Sequence, residues 1–185
     1  MQLDELNKKP LTDLKNWIDV DDASATDILG FFNKHGFDYV GQGSFGLVME
    51  HPNLDYVIKI FDARGDIGYI EFVRFALRYP YKTHLPRFIG KPKQIDGRWY
   101  VIRMETLKPI SYELSIEVGK LWRKTRDIYN SSSINLPEDT IESLSDLFGA
   151  MSEIMNEKKI HADVRQDNIM MRPNGDIVIT DPWIK

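Results

Sequence analysis

A polar turn late in the sequence constrains the fold of this chain more than any other feature. It runs from His161 to Asn168 as H-A-D-V-R-Q-D-N, and the apolar segment that follows it ends on Asp181. An apolar helical pattern leads into the turn, and the Pro-Asn-Gly sequence at 173–175 predicts a short hairpin between Asn168 and Asp181. The pattern therefore predicts a helix, a tight polar loop and a hairpin, in that order.

Three oxygen-bearing side chains occupy the loop and the end of the hairpin, and together they match the needs of phosphoryl transfer from ATP. That reaction needs a carboxylate that accepts the proton of the attacking hydroxyl, which we assign to Asp163. It also needs oxygen ligands that hold Mg²⁺ on the phosphates, which we assign to Asn168 and Asp181. Asp167 is interpreted as a solvated loop residue rather than a third metal ligand.

A glycine-rich segment lies upstream. The segment from Gly41 to Val48 reads G-x-G-x-x-G-x-V, and the strand-like run 57–61 follows with Lys59 at its centre. Glycines let the backbone of a turn approach phosphate oxygens, and a lysine on the following strand can then reach them. The same glycine spacing opens dinucleotide-binding folds, but those need a helix directly after the glycines. Here a strand pattern follows, which favours a turn between two strands.

The remaining periodicities predict an α+β protein. Strands are expected near residues 37–41, 47–50, 56–61, 87–90 and 99–104, with a helix near 67–79 between the third and the fourth. Further helices are expected near 11–19, 24–35, 111–129 and 137–158. In the second of these, Ser24 or Thr26 is expected to cap the start and Gly36 to end it. Residues 105–109 read as an extended connection between the strand-rich and the helix-rich halves.

Composition excludes several functional classes. The chain has 185 residues, a net charge of −4 and no cysteine, so neither disulfides nor thiolate metal sites are available. The negative charge gives no reason to expect nucleic-acid binding. No apolar run approaches the roughly 18 residues of a membrane span, and the polar start is unlike a signal peptide. We therefore expect a cytoplasmic protein that binds neither membrane nor nucleic acid.

Taken together, these motifs resemble the protein-kinase-like superfamily, and are most similar to small bacteriophage (podophage-type) serine/threonine protein kinases. The similarity covers roughly residues 37–183. It is carried by the glycine turn, a His-Pro turn at 51–52, the V-I-K run ending on Lys59, and the N-I-M, N-G-D and I-T-D-P segments between Asn168 and Pro182. The resemblance implies a bilobal fold with a five-stranded antiparallel N-lobe and a reduced, mainly helical C-lobe.

The same resemblance implies a division of the chain and an activity. Residues 1–36 would be an N-terminal helical extension, residues 37–105 the N-lobe, and residues 106–185 the hinge and a minimal C-lobe. The implied activity is Mg²⁺- and ATP-dependent phosphorylation of serine or threonine in a protein. A phage protein of this kind would act on host proteins in the host cytoplasm.

The resemblance also assigns roles to individual residues. Asp163 would be the catalytic base, Arg165 would contact the transferring phosphate, and His161 would brace the turn. Glu71 is the expected partner of Lys59, with Asp66 as the alternative. The residues expected to bind ATP are Gly41, Gly43, Ser44, Gly46, Val48, Lys59, Glu71, Glu105 and Leu107.

Two departures from the family pattern leave alternatives open. Pro182-Trp183 stands where many kinases have Phe-Gly, and only four residues follow Asp181. The acceptor site is therefore expected to be minimal, or built from residues 1–36 and 111–135, or supplied by a partner protein or a homodimer. The alternatives are a small-molecule phosphotransferase and a kinase-fold binding module that regulates a partner. The basic residues at 120–126 are interpreted as solvated surface.

Overall fold

The computed structural model describes residues 24–43, 46–95, 98–126 and 133–184. The predicted helix at 11–19, Ser44 and the turn at 96–97 lie outside the described residues. The described chain divides into two compact units. The first contains the residues up to Asp66 together with Phe88–Thr106, and the second contains Ile67–Arg87 together with the residues from Leu107 onward.

The first unit is built on a five-stranded sheet, which confirms the five strands predicted from the sequence patterns, and its strands are antiparallel, as the resemblance implied. Its strands are paired in the order β1-β2-β3-β5-β4. Strand β4 continues past its predicted end at Gly90. The strands are β1 (Asp38–Gly43), β2 (Gly46–Glu50), β3 (Tyr56–Asp62), β4 (Phe88–Gln94) and β5 (Trp99–Glu105).

One helix shares a core with this sheet. Helix α1 (Ala25–Lys34) starts with a capping box, in which the Asp27 backbone N–H donates to the Ser24 hydroxyl over 3.2 Å and the Ser24 N–H donates to the Asp27 carboxylate over 3.0 Å. The predicted cap at Ser24 is thus confirmed. The buried residues of α1 belong to the same apolar cluster as alternating residues of β2 and β3: Ile28, Phe31, Phe32, Leu47, Met49, Ile58 and Ile60.

The turn after β3 is organised by the buried carboxylate of Asp62. Its Oδ1 accepts from the backbone N–H of Arg64 over 2.9 Å, and its Oδ2 forms an ion pair with Arg98 Nε over 2.8 Å. Burial raises the pKa of the Asp62 carboxyl, but these bonds and a further one from Gly65 outweigh it, so the pKa lies below its usual value. The carboxylate therefore stays ionised and fixes the end of β3.

The second unit contains three helices and two small sheets. Helices α2 (Ile67–Arg78), α3 (Tyr112–Thr125) and α4 (Glu138–Lys158) agree with the predicted helices wherever the structure describes the chain. Strands β6 (Lys108–Pro109), β8 (Ile169–Met171) and β9 (Ile177–Ile179) form one sheet, and β7 (His161–Ala162) pairs with β10 (Trp183–Ile184). No helix in the described part of the chain is long and apolar enough to cross a bilayer.

A tryptophan joins α2 to β10 within this unit. The Trp183 side chain is fully buried, and its ring centroid lies 5.8 Å from that of Phe72 and 5.6 Å from that of Phe75. Gly68, on the first turn of α2, lies against the backbone of Trp183 and Ile184. The absence of a side chain at Gly68 is what allows this close approach.

A second buried connection joins the segment after α2 to the β8–β9 hairpin. The Arg172 guanidinium donates to the carbonyl oxygens of Thr83 and Leu85, the second over 2.8 Å. His84 Nδ1 lies 2.7 Å from the Ile177 carbonyl oxygen, and His84 Nε2 lies 2.8 Å from the Ser143 hydroxyl. Because a carbonyl oxygen only accepts, Nδ1 carries the proton of the neutral ring.

We predict that Gly68→Ala destabilises the protein. A Cβ at this position would lie 2.7 Å from the Trp183 carbonyl carbon and 2.9 Å from Ile184 Cα, both of which are backbone atoms that cannot swing away. The expected loss is about 1–3 kcal/mol in the free energy of unfolding by urea. Gly149→Ala in α4 is the matched control, since nothing lies within 4 Å of its added Cβ. The control should gain roughly 0.5–1 kcal/mol, and equal effects at the two sites would contradict the packing described.

We also predict that His84 makes stability depend on pH. Burial lowers the pKa of its imidazole, and the hydrogen bond to Ile177 only partly opposes this. The unfolded chain therefore binds the proton more readily, so stability is complete above about pH 6.5 and declines as pH falls toward the lower folded pKa. Urea titrations at several pH values should show this decline, and His84→Gln should flatten it. An unchanged slope in the variant would show that other groups cause the decline.

Candidate functional site

The polar loop predicted from the sequence is closed by two backbone hydrogen bonds. The Asp163 N–H donates to the Pro182 carbonyl oxygen over 2.6 Å, just beyond the point where β7 pairs with β10. The Thr180 N–H donates to the Asn168 carbonyl oxygen over 2.9 Å, which continues the β8–β9 ladder. Asp181 lies between Thr180 and Pro182, so both of its neighbours are bonded to the loop. The fold thus brings Asp163, Asn168 and Asp181 together.

The side chain of Asn168 fixes the shape of the loop. Its Nδ2 donates to the Asp163 carbonyl oxygen over 2.7 Å and to Asp163 Oδ2 over 3.1 Å. Both of these partners are acceptors, so the amide nitrogen must face them and the amide oxygen must point elsewhere. Asn168 is buried, with 9% of its surface exposed. The Asn168 amide therefore contacts both the main chain and the carboxylate of Asp163.

Arg165 pairs with Asp163 inside the loop. Its Nε lies 2.8 Å from Asp163 Oδ1, with the Arg165 side chain 65% exposed and that of Asp163 18% exposed. An exposed ion pair of this kind is worth little in stability, because water screens it. The pairing keeps a mobile positive charge beside the carboxylate. The sequence suggested that Arg165 meets a phosphate, and its exposure leaves the guanidinium accessible to an anion.

The residues suggested as metal ligands form an oxygen donor set. The Oδ1 atom of Asn168 accepts no hydrogen bond from the described residues, because the amide is held through Nδ2. Together with the Asp181 carboxylate it offers the hard oxygen ligands that Mg²⁺ binds. Within the described ranges, no group of three His, Cys, Asp or Glu side chains could hold a metal. A two-ligand site of this kind fits Mg²⁺, which takes its other ligands from phosphates and water.

The glycine segment forms the end of a hairpin in the first unit. Gly41 pairs with Val48 and Gly43 with Gly46, with a register irregularity between Tyr39 and Gly41. A Cβ on Gly46 would lie 2.7 Å from the Ile60 carbonyl oxygen, so this glycine is needed for close packing of β2 on β3. The predicted strands are therefore present on both sides of residues 44–45, and the chain from Gly46 onward is a strand rather than the helix that a dinucleotide-binding fold requires.

Lys59 occupies a distinct position in β3. It is the one residue of that strand that is not buried, and it lies opposite Val48 on one side and Ile102 on the other. Residues directly opposite in an antiparallel sheet share a face. Lys59 and Val48 thus lie on one face, opposite to the face that packs with α1.

The other suggested ATP-binding residues are divided between the units. Glu71 lies on α2 in the second unit, where its Oε1 is 2.5 Å from Arg74 Nη1. Lys59 lies in the first unit, so its pairing with Glu71 stays a prediction. Glu105 ends β5 opposite Tyr56 in the first unit, and Leu107 is half-buried in the second.

The resemblance suggested that His161 braces the polar loop. It lies opposite Ile184 in the β7–β10 pair and is exposed. None of the hydrogen bonds among the described residues engages its ring. The bracing contacts come instead from Asn168 and from the Pro182 carbonyl oxygen. The bracing role of His161 therefore remains an untested hypothesis.

Sequence reasoning missed two structural contributors to this site. The β7–β10 pair is only two residues long on each strand, too short for a periodic signal. Trp183 holds β10 against α2, yet a lone tryptophan after Asp-Pro gives no indication of its partner. The small residue at Gly68 was the only local signal for that contact.

Comparisons with known proteins add no family assignment. No protein-family model matches the chain, and a search of curated proteins finds no match.

We predict that Asn168→Asp loosens the loop. The new carboxylate oxygen would face two acceptors at 2.7 and 3.1 Å in place of the donating amide. Repulsion and the lost bonds should cost about 1–3 kcal/mol and speed hydrogen exchange at the Asp163 and Thr180 amides. Asp167→Asn is the matched control because Asp167 is exposed in the same turn. Equal exchange rates in the two variants would rule out the bracing role of Asn168.

Proposed function

We propose that this protein is a minimal Mg²⁺- and ATP-dependent phosphotransferase of the protein-kinase-like class that phosphorylates serine or threonine in a protein. The observation that carries the proposal is the closed loop in the second unit. Asp163, Asn168 and Asp181 are tied into one cluster by the bonds from Asp163 to Pro182 and from Thr180 to Asn168. Both of these bonds are made by main-chain atoms, so neither of them uses the carboxylate of Asp163 or Asp181.

The cluster offers one group for each chemical task of phosphoryl transfer. The Asp163 carboxylate is anchored through Asn168 and is still 18% exposed, so it can accept the proton of an acceptor hydroxyl. Arg165 can leave Asp163 to contact phosphate, and its planar fork of donors suits phosphate oxygens. Asn168 and Asp181 would hold Mg²⁺, which would neutralise charge on the phosphates of ATP.

The first unit supplies the features expected of a phosphate-binding hairpin. The β1–β2 connection is rich in glycine, and Lys59 stands opposite Val48 on the next strand. A lysine in the middle of a buried strand is costly unless a charged partner or ligand compensates it. Two independent features therefore support the proposal: the polar-loop cluster in the second unit, and the glycine-rich connection with Lys59 in the first unit. The choice of a protein substrate, and of host proteins in particular, comes from the sequence resemblance alone.

We predict that Asp163→Asn removes transfer while nucleotide binding is retained. Loss of the general base should lower the rate of transfer from γ-labelled ATP about 10²- to 10⁴-fold. The affinity for ATP, measured by calorimetry in Mg²⁺, should change little because Asp163 does not bind the nucleotide. Asp181→Asn should instead weaken the Mg²⁺-dependent part of ATP binding. Asp167→Asn, which alters an exposed neighbour, is the control and should keep the full rate.

The outcomes separate the competing functions. Label that moves into protein, including the protein itself, supports the proposal. Label that moves only into small molecules would favour a small-molecule phosphotransferase. Absence of nucleotide binding, or equal transfer by wild type and Asp163→Asn, would refute the proposal and leave a binding module as the better interpretation.

A further inference from the structure

A small cavity opens beside the end strand of the first-unit sheet. Between the pairs Ile89–Arg103 and Lys93–Val101, the stretch 90–92 of β4 faces the single residue Ile102 of β5. This bulge separates the two strands and leaves a cavity of about 180 Å³. Gly90 adopts a φ of 81°, a left-handed conformation that glycine tolerates best. A glycine at this position therefore favours a bulge in β4.

The cavity has an apolar floor and a cationic rim. Its floor includes Ile58 and Val101, each no more than 3% exposed, which lie on the face of the sheet that packs with α1. Its rim carries Lys91, Lys93 and Arg103, of which the two lysines are exposed.

The rim of the cavity is positively charged, whereas the protein as a whole is negatively charged. The chain carries a net charge of −4, yet the residues that line the cavity include three cations and no carboxylate. Part of the rim is also held in place, because the Arg103 guanidinium lies 5.7 Å from the centre of the Tyr56 ring. A fixed arginine and two lysines around an apolar floor suit a ligand that combines an apolar group with negative charge.

The size and position of the cavity indicate the kind of ligand. At about 180 Å³ the cavity is smaller than the roughly 300 Å³ or more of typical cofactor pockets, so one bulky side chain would fill it. Strand β4 lies at the end of the sheet order, where an extended peptide can align with its outer edge. In such complexes, a pocket for one side chain provides specificity.

We propose that this cavity is a docking site for an acidic peptide segment, with one bulky apolar side chain on the floor and flanking carboxylates or phosphates on Lys91, Lys93 and Arg103. The site lies within the first unit. The docking does not rest on the proposed phosphotransferase activity, because the peptide binds whether or not phosphate is transferred.

The test uses the full chain and a fluorescein-labelled peptide, Glu-Asp-Phe-Asp-Glu. Fluorescence anisotropy should show saturable binding that weakens as salt is raised, since the rim charges are exposed. Replacing Phe by Ala, or the four acids by Lys, should weaken binding at least tenfold. Equal binding of the Phe and Ala peptides would overturn the proposal.

Variants in which a lysine is replaced by glutamate test where on the protein the peptide binds. Lys91→Glu and Lys93→Glu should each weaken binding at least tenfold, whereas Lys34→Glu, at an exposed lysine of α1 in the same unit, should have little effect. Equal effects of the three substitutions would show general attraction only. On the unsubstituted protein, amide NMR shifts caused by the Phe peptide should cluster at 89–93 and 101–103. Shifts confined to other segments would refute the site whatever the variants do.

Discussion

The bond from the Asp163 amide to the Pro182 carbonyl oxygen is the interaction on which the candidate site depends. It joins the start of the polar loop to the residue after Asp181 over 2.6 Å. Without it, the loop and the end of the β8–β9 hairpin would still be joined by the Thr180–Asn168 bond and by the two-residue pairing of β7 with β10, but the segment beside Asp163 would lose its direct contact with Pro182. Because the bond is made by main-chain atoms, it does not use the carboxylates of Asp163 and Asp181.

The same segment is anchored a second time through Trp183. Its buried ring packs on Phe72 and Phe75 of α2, and Gly68 allows the α2 backbone to approach that of Trp183. The position of Asp181 is therefore coupled to that of α2 by close packing, which transmits small displacements.

The sequence predicted most of the regular structure because the periodic patterns are long. The apolar stripe of α4 repeats a local signal several times, β3 is a nearly continuous apolar run, and Ser24 is a residue type that favours the start of a helix. The extension of β4 to Gln94 was missed, since Lys91-Pro92-Lys93 looks like a loop and becomes an edge strand only beside β5. The cavity at the bulge was missed for the same reason.

By itself, the sequence determined the α+β class, the positions of five strands and the residue types available at the polar loop. Those follow from local spacing and from the chemistry of each side chain. Tertiary structure decided that Asn168 Nδ2 faces Asp163, that Arg165 pairs with the same carboxylate, and that three cations surround an apolar cavity. These contacts depend on strand register and on side-chain direction, and neither of these can be derived from the spacing of residues along the chain.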